Sequence, residues 1–416
     1  MNITSHLSKS KPLKTEDITR VSKNGHIAFL YNHEAGHQVR HSAAVIPQLL
    51  KLYPKIKITI LATSDPLMHI VRQVCGDIDL HRCSFIKLET PKWHKPFAYI
   101  ADTIMPFSRV DHLYSNRSIF QSFDAIIVTE GTSLFLRKLK GLEHAKIIRI
   151  DHGAGDRSIG FKPSFAGNNL VLFAGSKQRD RYLNLGYLSE EQMEVVGYPK
   201  FDSIKTDSLS RSKLFSDDKP VVLYNPHPEP YLSSWYTMGL EVLEYFSTSK
   251  DYNLIFAPHI MMFLRRIHIS SEHFAFRLRR DIPERYFNCS NIHVDIGSAA
   301  SLDMTYTLAA DIYIGDVSSQ VYEFLIRPRP CIFLNSHKAK WQEDPNYLFW
   351  KFGPVITCSK DLDFRLRSAW GDHAKYKPLQ KEEFKLTFDH QSTPASVRAA
   401  NAIAKFLNIT VDSKAI

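Results

Sequence analysis

The sequence predicts an α/β fold of two doubly wound, Rossmann-like domains with a cleft between them. Three observations predict it. Short apolar, β-rich runs alternate with helical stretches along the whole chain, and strands separated by helices pair in parallel. The 416 residues exceed the size at which a single core usually keeps growing, which favours two domains. A polar stretch from Asp202 to Asp218, rich in Ser, Lys and Asp, interrupts the rhythm midway and reads as a linker.

Taken in order, residues 1–22 are polar and read as a disordered N-terminal segment. A first domain, 23–201, carries the strand candidates His26 to Tyr31, Ile56 to Leu61, Ala125 to Val128, Ile147 to Ile150, Leu170 to Phe173 and Glu194 to Val196. After the linker, 202–218, a second domain, 219–390, repeats the pattern with Val221 to Tyr224, Asn253 to Ala257, Ile292 to Val294, Ile312 to Ile314, Cys331 to Leu334 and Val355 to Thr357. In the last segment, 391–416, Thr393-Pro394 has the N-cap and N1 signature of a helix start. An amphipathic helix to about Leu407 is expected there, packing back on the first domain. Two such domains and a linker describe the GT-B architecture, in which the donor nucleotide lies in the second domain.

Composition removes several function classes. No run approaches the ~18 apolar residues needed to span a bilayer, and the start lacks a signal-peptide core, so a cytoplasmic protein is expected, with a peripheral position at the inner face of the plasma membrane as the alternative. Five scattered cysteines form no C-x-x-C pair, which argues against a disulfide framework and a structural zinc site. The net charge of +10 favours anionic partners. No nucleic-acid-binding signature accompanies it, so nucleic acid is not expected.

The most informative segment runs from Ala310 to Leu334. It reads as a strand to Ile314, a polar loop from Gly315 to Ser319, a helix from Gln320 to Ile326 and a further strand, a βαβ unit. Ligands collect at such loops, where a helix start offers N–H groups to a phosphate. Ser318 and Ser319 add hydroxyl donors, and Glu323 is a candidate ribose contact. The alternative is that Asp316 and the serines merely cap a helix.

Other strand ends carry histidines. Ile150-Asp-His-Gly-Ala-Gly-Asp-Arg157 places His152 at the mouth of the first domain as a candidate base, with Gly153, Asp156 and Arg157 on the acceptor side. Asn225-Pro-His227 and Ala257-Pro-His259 end two strands of the second domain beside Ser318, where an imidazole can stabilise diphosphate charge; their prolines alone also explain the loops as strand terminators, for His227 more than for His259. His33-Glu-Ala-Gly-His37 matches the H-E-x-x-H pattern of zinc proteases, but it follows a strand, contains Gly36 and precedes the helix, so it belongs to a cleft loop in which His33, His37 or Arg40 touches an acceptor. Met262 to Arg280 interleaves aromatics and aliphatics with arginines. It reads either as a solvated helix with a buried face or as a patch for anionic membrane.

With these residues assembled, the second half resembles the CDP-glycerol glycerophosphotransferase family of teichoic-acid primases and polymerases. The parallels run in chain order: His152-Gly153, Gly197-Tyr-Pro-Lys-Phe-Asp202, Tyr224-Asn-Pro226, Ala257-Pro-His259, and Asp311 through Asp316-Val-Ser-Ser319 to Pro330. The resemblance implies transfer of glycerol-phosphate, or a related polyol-phosphate, from a CDP-activated donor to an envelope glycan or lipid-linked acceptor. It makes His152 the base and His259 a ligand or acid for the donor phosphates, and places Ser318 and Ser319 on the diphosphate; no metal and no cofactor is needed. Asp151, His227-Pro-Glu229 and Gly315 depart from the family pattern, which leaves open a nucleotide-sugar glycosyltransferase, an epimerase or a noncatalytic polymer- or membrane-binding module.

Overall fold

The structure is a computed structural model and describes residues 25–33, 36–76, 80–102, 105–152, 154–204, 213–270 and 272–410. The first sheet contains β1 (His26–Tyr31), β2 (Lys57–Ala62), β3 (Cys83–Lys87), β4 (Ala125–Val128), β5 (Lys146–Ile150), β6 (Leu170–Phe173) and β7 (Met193–Val195). Its order is β3-β2-β1-β4-β5-β6-β7, and every pairing is parallel. The second contains β8 (Val221–Asn225), β9 (Asn253–Phe256), β12 (Ile292–Val294), β13 (Ile312–Gly315), β14 (Cys331–Leu334) and β15 (Val355–Ile356), with β10 (Ile267–Ser270) and β11 (Ala275–Leu278) set apart as an antiparallel hairpin. Its order, β12-β9-β8-β13-β14-β15, is also parallel throughout. The doubly wound pairing expected from the alternating runs is present in both sheets.

Helices cover both faces, so the central strands are buried on both sides and contain few polar residues. Ile27, Ala28 and Phe29 are fully buried in β1, as are Ile312 and Ile314 in β13. Each of these isoleucine and phenylalanine side chains contributes about 1.5–3 kcal/mol by leaving water. Three strands, β3, β10 and β11, were not expected from the sequence. Edge strand β3 is only partly buried, and Cys-Ser-Phe-Ile-Lys is a weak apolar run. In the segment 262–280 the expected helix is confined to Met261–Leu264, and the rest is the β10–β11 hairpin. Alternate residues, not every third or fourth, share a face there.

The end of the chain returns from the second sheet to the first domain. The helix Leu362–Thr387 leaves the second sheet and delivers Phe384 and Phe388 against Phe201 of the first domain, with ring centroids 6.0 and 4.8 Å apart. The helix Ala395–Phe406 then packs into the first core, burying Ala399, Ala400, Ile403 and Ala404 with Val45, Ile46 and Leu49. That helix starts at Ala395, with Pro394 rather than Thr393 at the N-cap. A capping carboxylate comes from elsewhere, since Ser396 N–H donates to Asp202 over 2.6 Å. All five cysteines are free.

Candidate active site

In each sheet the strand order reverses beside its first strand, and the crevice at the carboxyl ends there is where ligands bind in such folds. The loops after β1, β5 and β7 meet those after β8, β9 and β13 across a cavity of about 220 Å³. From the first domain it is lined by His37, His41, His152, Tyr198 and Lys200; from the second by Asn225, His259, Ser318, Ser319, Gln320 and Glu323. The imidazoles form a chain. Centroids are 4.9 Å apart for His33 and His37, 6.4 Å for His37 and His152, 5.8 Å for His37 and His259, and 5.8 Å for His227 and His259.

Backbone contacts set the tautomers. His152 Nδ1 lies 2.5 Å from the Thr129 carbonyl, which only accepts, so Nδ1 carries the proton and Nε2 holds a lone pair. His259 is reversed: its Nδ1 accepts from Met261 N–H over 3.3 Å, so a neutral ring carries its proton on Nε2. His227 does the same, accepting from Glu229 N–H at 3.1 Å. One histidine is thus set to take a proton and two to donate hydrogen bonds.

Burial lowers the His152 pKa, with Asp151 partly opposing it, and drives His259 down to about 4. Burial also holds His37, His41 and His227 well below the usual imidazole value. These rings are neutral near pH 7, as a base and neutral donors require. His41 is buried with no partner for Nδ1, as is Nδ1 of His37. Among the described residues, no group of three or more His, Cys, Asp or Glu is placed to hold a metal ion.

The loop after β13 differs in detail from the expectation. Ser318, Ser319 and Gln320 line the cavity, but the Asp316 carboxylate faces the protein. It accepts from His227 N–H (2.9 Å), Ser234 N–H (2.7 Å), Ser234 Oγ (2.8 Å) and Val317 N–H (2.6 Å), tying the β8 and β13 loops together. Desolvation raises its pKa to about 6 despite these donors. Gly315 is likewise structural: a Cβ there would fall 2.5 Å from the Tyr313 ring, which explains a glycine at this position. Asn225 lines the cavity while its amide donates to the Ala257 carbonyl at 2.7 Å, joining the ends of β8 and β9. The helix after Ser319 spans only Gln320–Phe324, so its dipole is short and the serine hydroxyls are the main donors.

Glu323 is a correction of another kind. Its carboxylate already receives Lys200 Nζ at 2.7 and 2.8 Å and the Tyr198 hydroxyl at 2.8 Å. Burial and this carboxylate push Tyr198 well above its ordinary pKa, so it remains a donor. The run Gly197–Asp202 is therefore an interdomain knot. Gly197 turns at φ +84° against Arg398, Tyr198 and Lys200 reach Glu323, Phe201 joins the aromatic cluster, and Asp202 caps the last helix.

On the acceptor side, Asp156 is also committed to the interface, accepting from Lys177 (2.9 Å), Tyr322 (2.5 Å) and Phe349 N–H (3.2 Å). Arg157 pairs with Glu272, and Arg40 stands 4.0 Å from Asp303. His33 Nε2 lies 2.9 Å from Arg109. Asp151 pairs with Arg149 at 3.0 Å. Gly153, like Glu34 and Ala35 of the H-E-x-x-H run, lies outside the described residues. Gly155 allows close approach of the two domains, since a Cβ would stand 3.3 Å from Ser319 Cβ. His41, Tyr198, Lys200 and the Thr129 carbonyl were missed as site residues. Lys200 and Tyr198 lay in the quoted Gly197–Asp202 run, but their partner is distant in sequence.

The family model of CDP-glycerol:poly(glycerophosphate) glycerophosphotransferase matches residues 172–405, more than half of the chain. The chain belongs to that family. It is a CDP-glycerol glycerophosphotransferase-like transferase. None of the curated proteins matches it. Among solved structures, the wall teichoic acid polymerase TagF is similar at 14% identity and a TM-score of 0.59, covering 95% of this chain and 92% of that one. A UDP-N-acetylglucosamine 2-epimerase (13% identity, TM-score 0.56, 93% and 96% covered) and the glycotransferase of kitacinnamycin (12%, 0.53, 92% and 100%) are also similar. At these identities the likeness concerns the fold, which is GT-B.

Proposed function

We propose that the cleft transfers glycerol-phosphate, or a related polyol-phosphate, from a CDP-activated donor to a hydroxyl of a cell-envelope glycan or polymer. The observation that carries the reading is the opposed tautomers of His152 and His259 across one cavity. The acceptor hydroxyl attacks the phosphorus bearing the polyol, its proton passes to His152 Nε2, and the P–O bond to CMP breaks. His259 and His227 donate through Nε2–H to the diphosphate, joined by Ser318 and Ser319, so charge on the departing CMP is met by oriented donors. Lys200, held on Glu323, adds a cation at the cavity wall. Asp316 and Asn225 position these loops without touching the donor. The acceptor approaches from the first domain, past His33, His37 and Arg40. A lipid-linked acceptor would bring the protein into peripheral contact with the inner face of an anionic plasma membrane.

The test is a thermal-shift panel of CDP-glycerol, CMP-sugars and UDP-sugars, followed by CMP release with the ligand that stabilises. CDP-glycerol should raise the melting temperature most, since only ligands of the native state do so. Stabilisation by a UDP-sugar and not by CDP-glycerol would overturn the donor assignment.

A further inference from the structure

The hairpin β10–β11 wears its apolar side outward. Ile267 pairs with Leu278 and Ile269 with Phe276, and these four side chains share one face with exposures of 52, 60, 56 and 58%. On β10 the intervening residues point inward: His268 and Ser270 are buried, and His268 Nδ1 and Nε2 lie 3.2 and 3.0 Å from the carbonyls of Pro228 and Arg265. Phe274, between the strands, is 95% exposed at a φ of +48°. A solvated hairpin would place polar residues on that face.

A second segment reaches this surface at Met105. Trp93, Phe97 and Met105 of the first domain are 78, 61 and 55% exposed. Met105 lines a groove of about 410 Å³ with Ile267 and Ile269, and Arg265 bridges the two segments by donating to the Asp102 carbonyl at 2.8 Å. The groove continues inward to His227. The occupant is indicated by charge. Residues 264–281 hold five arginines against Glu272 and Asp281; Arg266, Arg277 and Arg280 are exposed, with Arg266 paired to Asp281 at 3.2 Å. Aromatic and aliphatic side chains ringed by arginine match the interface of a bilayer bearing anionic head groups.

We propose that the outer face of the β10–β11 hairpin, with Met105, docks on a membrane rich in anionic lipid, with the groove to His227 opening toward that membrane. The docking face deepens the reading of an envelope acceptor, but it is measured without donor or acceptor, so failure of either leaves the other standing. The full chain is sedimented with phosphatidylcholine vesicles, with or without phosphatidylglycerol. Binding to the phosphatidylglycerol vesicles that weakens as salt rises is expected. Phe276→Asp/Leu278→Asp should lower it about tenfold or more, and Arg277→Glu/Arg280→Glu should lower it on the anionic vesicles. Circular dichroism and the CDP-glycerol thermal shift should be unchanged in both. Absent binding by the parent chain, or equal binding by the Asp variant, overturns the proposal. So does a dimer in sedimentation velocity that Phe276→Asp dissolves, because a second copy would then own the face.

Discussion

Acidification is the perturbation to which the histidine chain answers most directly. A buried imidazole held near 4, as His259 is, takes up its proton in the unfolded chain at about 6.5, before the folded one does. The unfolded state therefore binds more protons between these values, and stability present above about pH 6.5 is lost as pH falls toward 4. From about pH 7.5 to 5 the loss for this one ring works out to about 2 kcal/mol, and partial solvent access brings it to about 1–2 kcal/mol. Asp316, raised to about 6, acts in the other direction: the folded state takes its proton first, so it gains over the same interval. The bare pH slope mixes the two, and a variant separates them. Urea midpoints of the parent chain and His259→Asn, measured across this range, should diverge by about 1–2 kcal/mol at pH 5, with the parent losing more. Parallel curves would refute the reasoning, since they would mean that His259 is no harder to protonate folded than unfolded.

Three further outcomes are expected. His152→Ala should lower kcat by about 10² to 10⁴ with the donor KM little changed, and the acid limb of kcat/KM in the parent should fall below pH 6.5 because burial lowers this base; full turnover by the variant sinks the assignment. Lys200→Ala should destabilise by about 3–5 kcal/mol because it strands Glu323, whereas Lys200→Met/Glu323→Leu should recover most of that in denaturation midpoints. Gly315→Ala should cost about 1–3 kcal/mol by forcing a methyl into the Tyr313 ring, readable as a lowered Tm, while Gly160→Ala, where nothing lies within 4 Å, should be nearly neutral.

The strands were legible because those of a parallel sheet are buried on both faces: β1, β4, β6 and β14 match their apolar runs residue for residue. Edge strand β3 and the hairpin escaped for the complementary reason. Half-exposed segments carry mixed sequences, and arginines among apolar residues suit a helix or a strand equally. Of the site, the residues at strand ends were readable, because the carboxyl end of a parallel strand is a position that sequence order alone locates. His152, His259, Ser318 and Ser319 do line one cavity. Side-chain direction was not readable. Asp316, Asp156 and Glu323 look identical in sequence to ligand-binding carboxylates, yet each is consumed by donors from distant segments.

The sequence by itself determined the two parallel sheets, the βαβ unit from Ala310 to Leu334 and the ordered set of histidine-bearing loops that marks the family, because period, burial and motif order are local properties of the chain. Only the tertiary structure decided which nitrogen of His152 and of His259 is free, that Lys200 and Tyr198 occupy the carboxylate of Glu323, and that the hairpin turns its apolar face outward. Each of these depends on a partner brought near by folding: the Thr129 carbonyl, the Met261 N–H, a carboxylate more than a hundred residues away along the chain, and the buried contacts of His268.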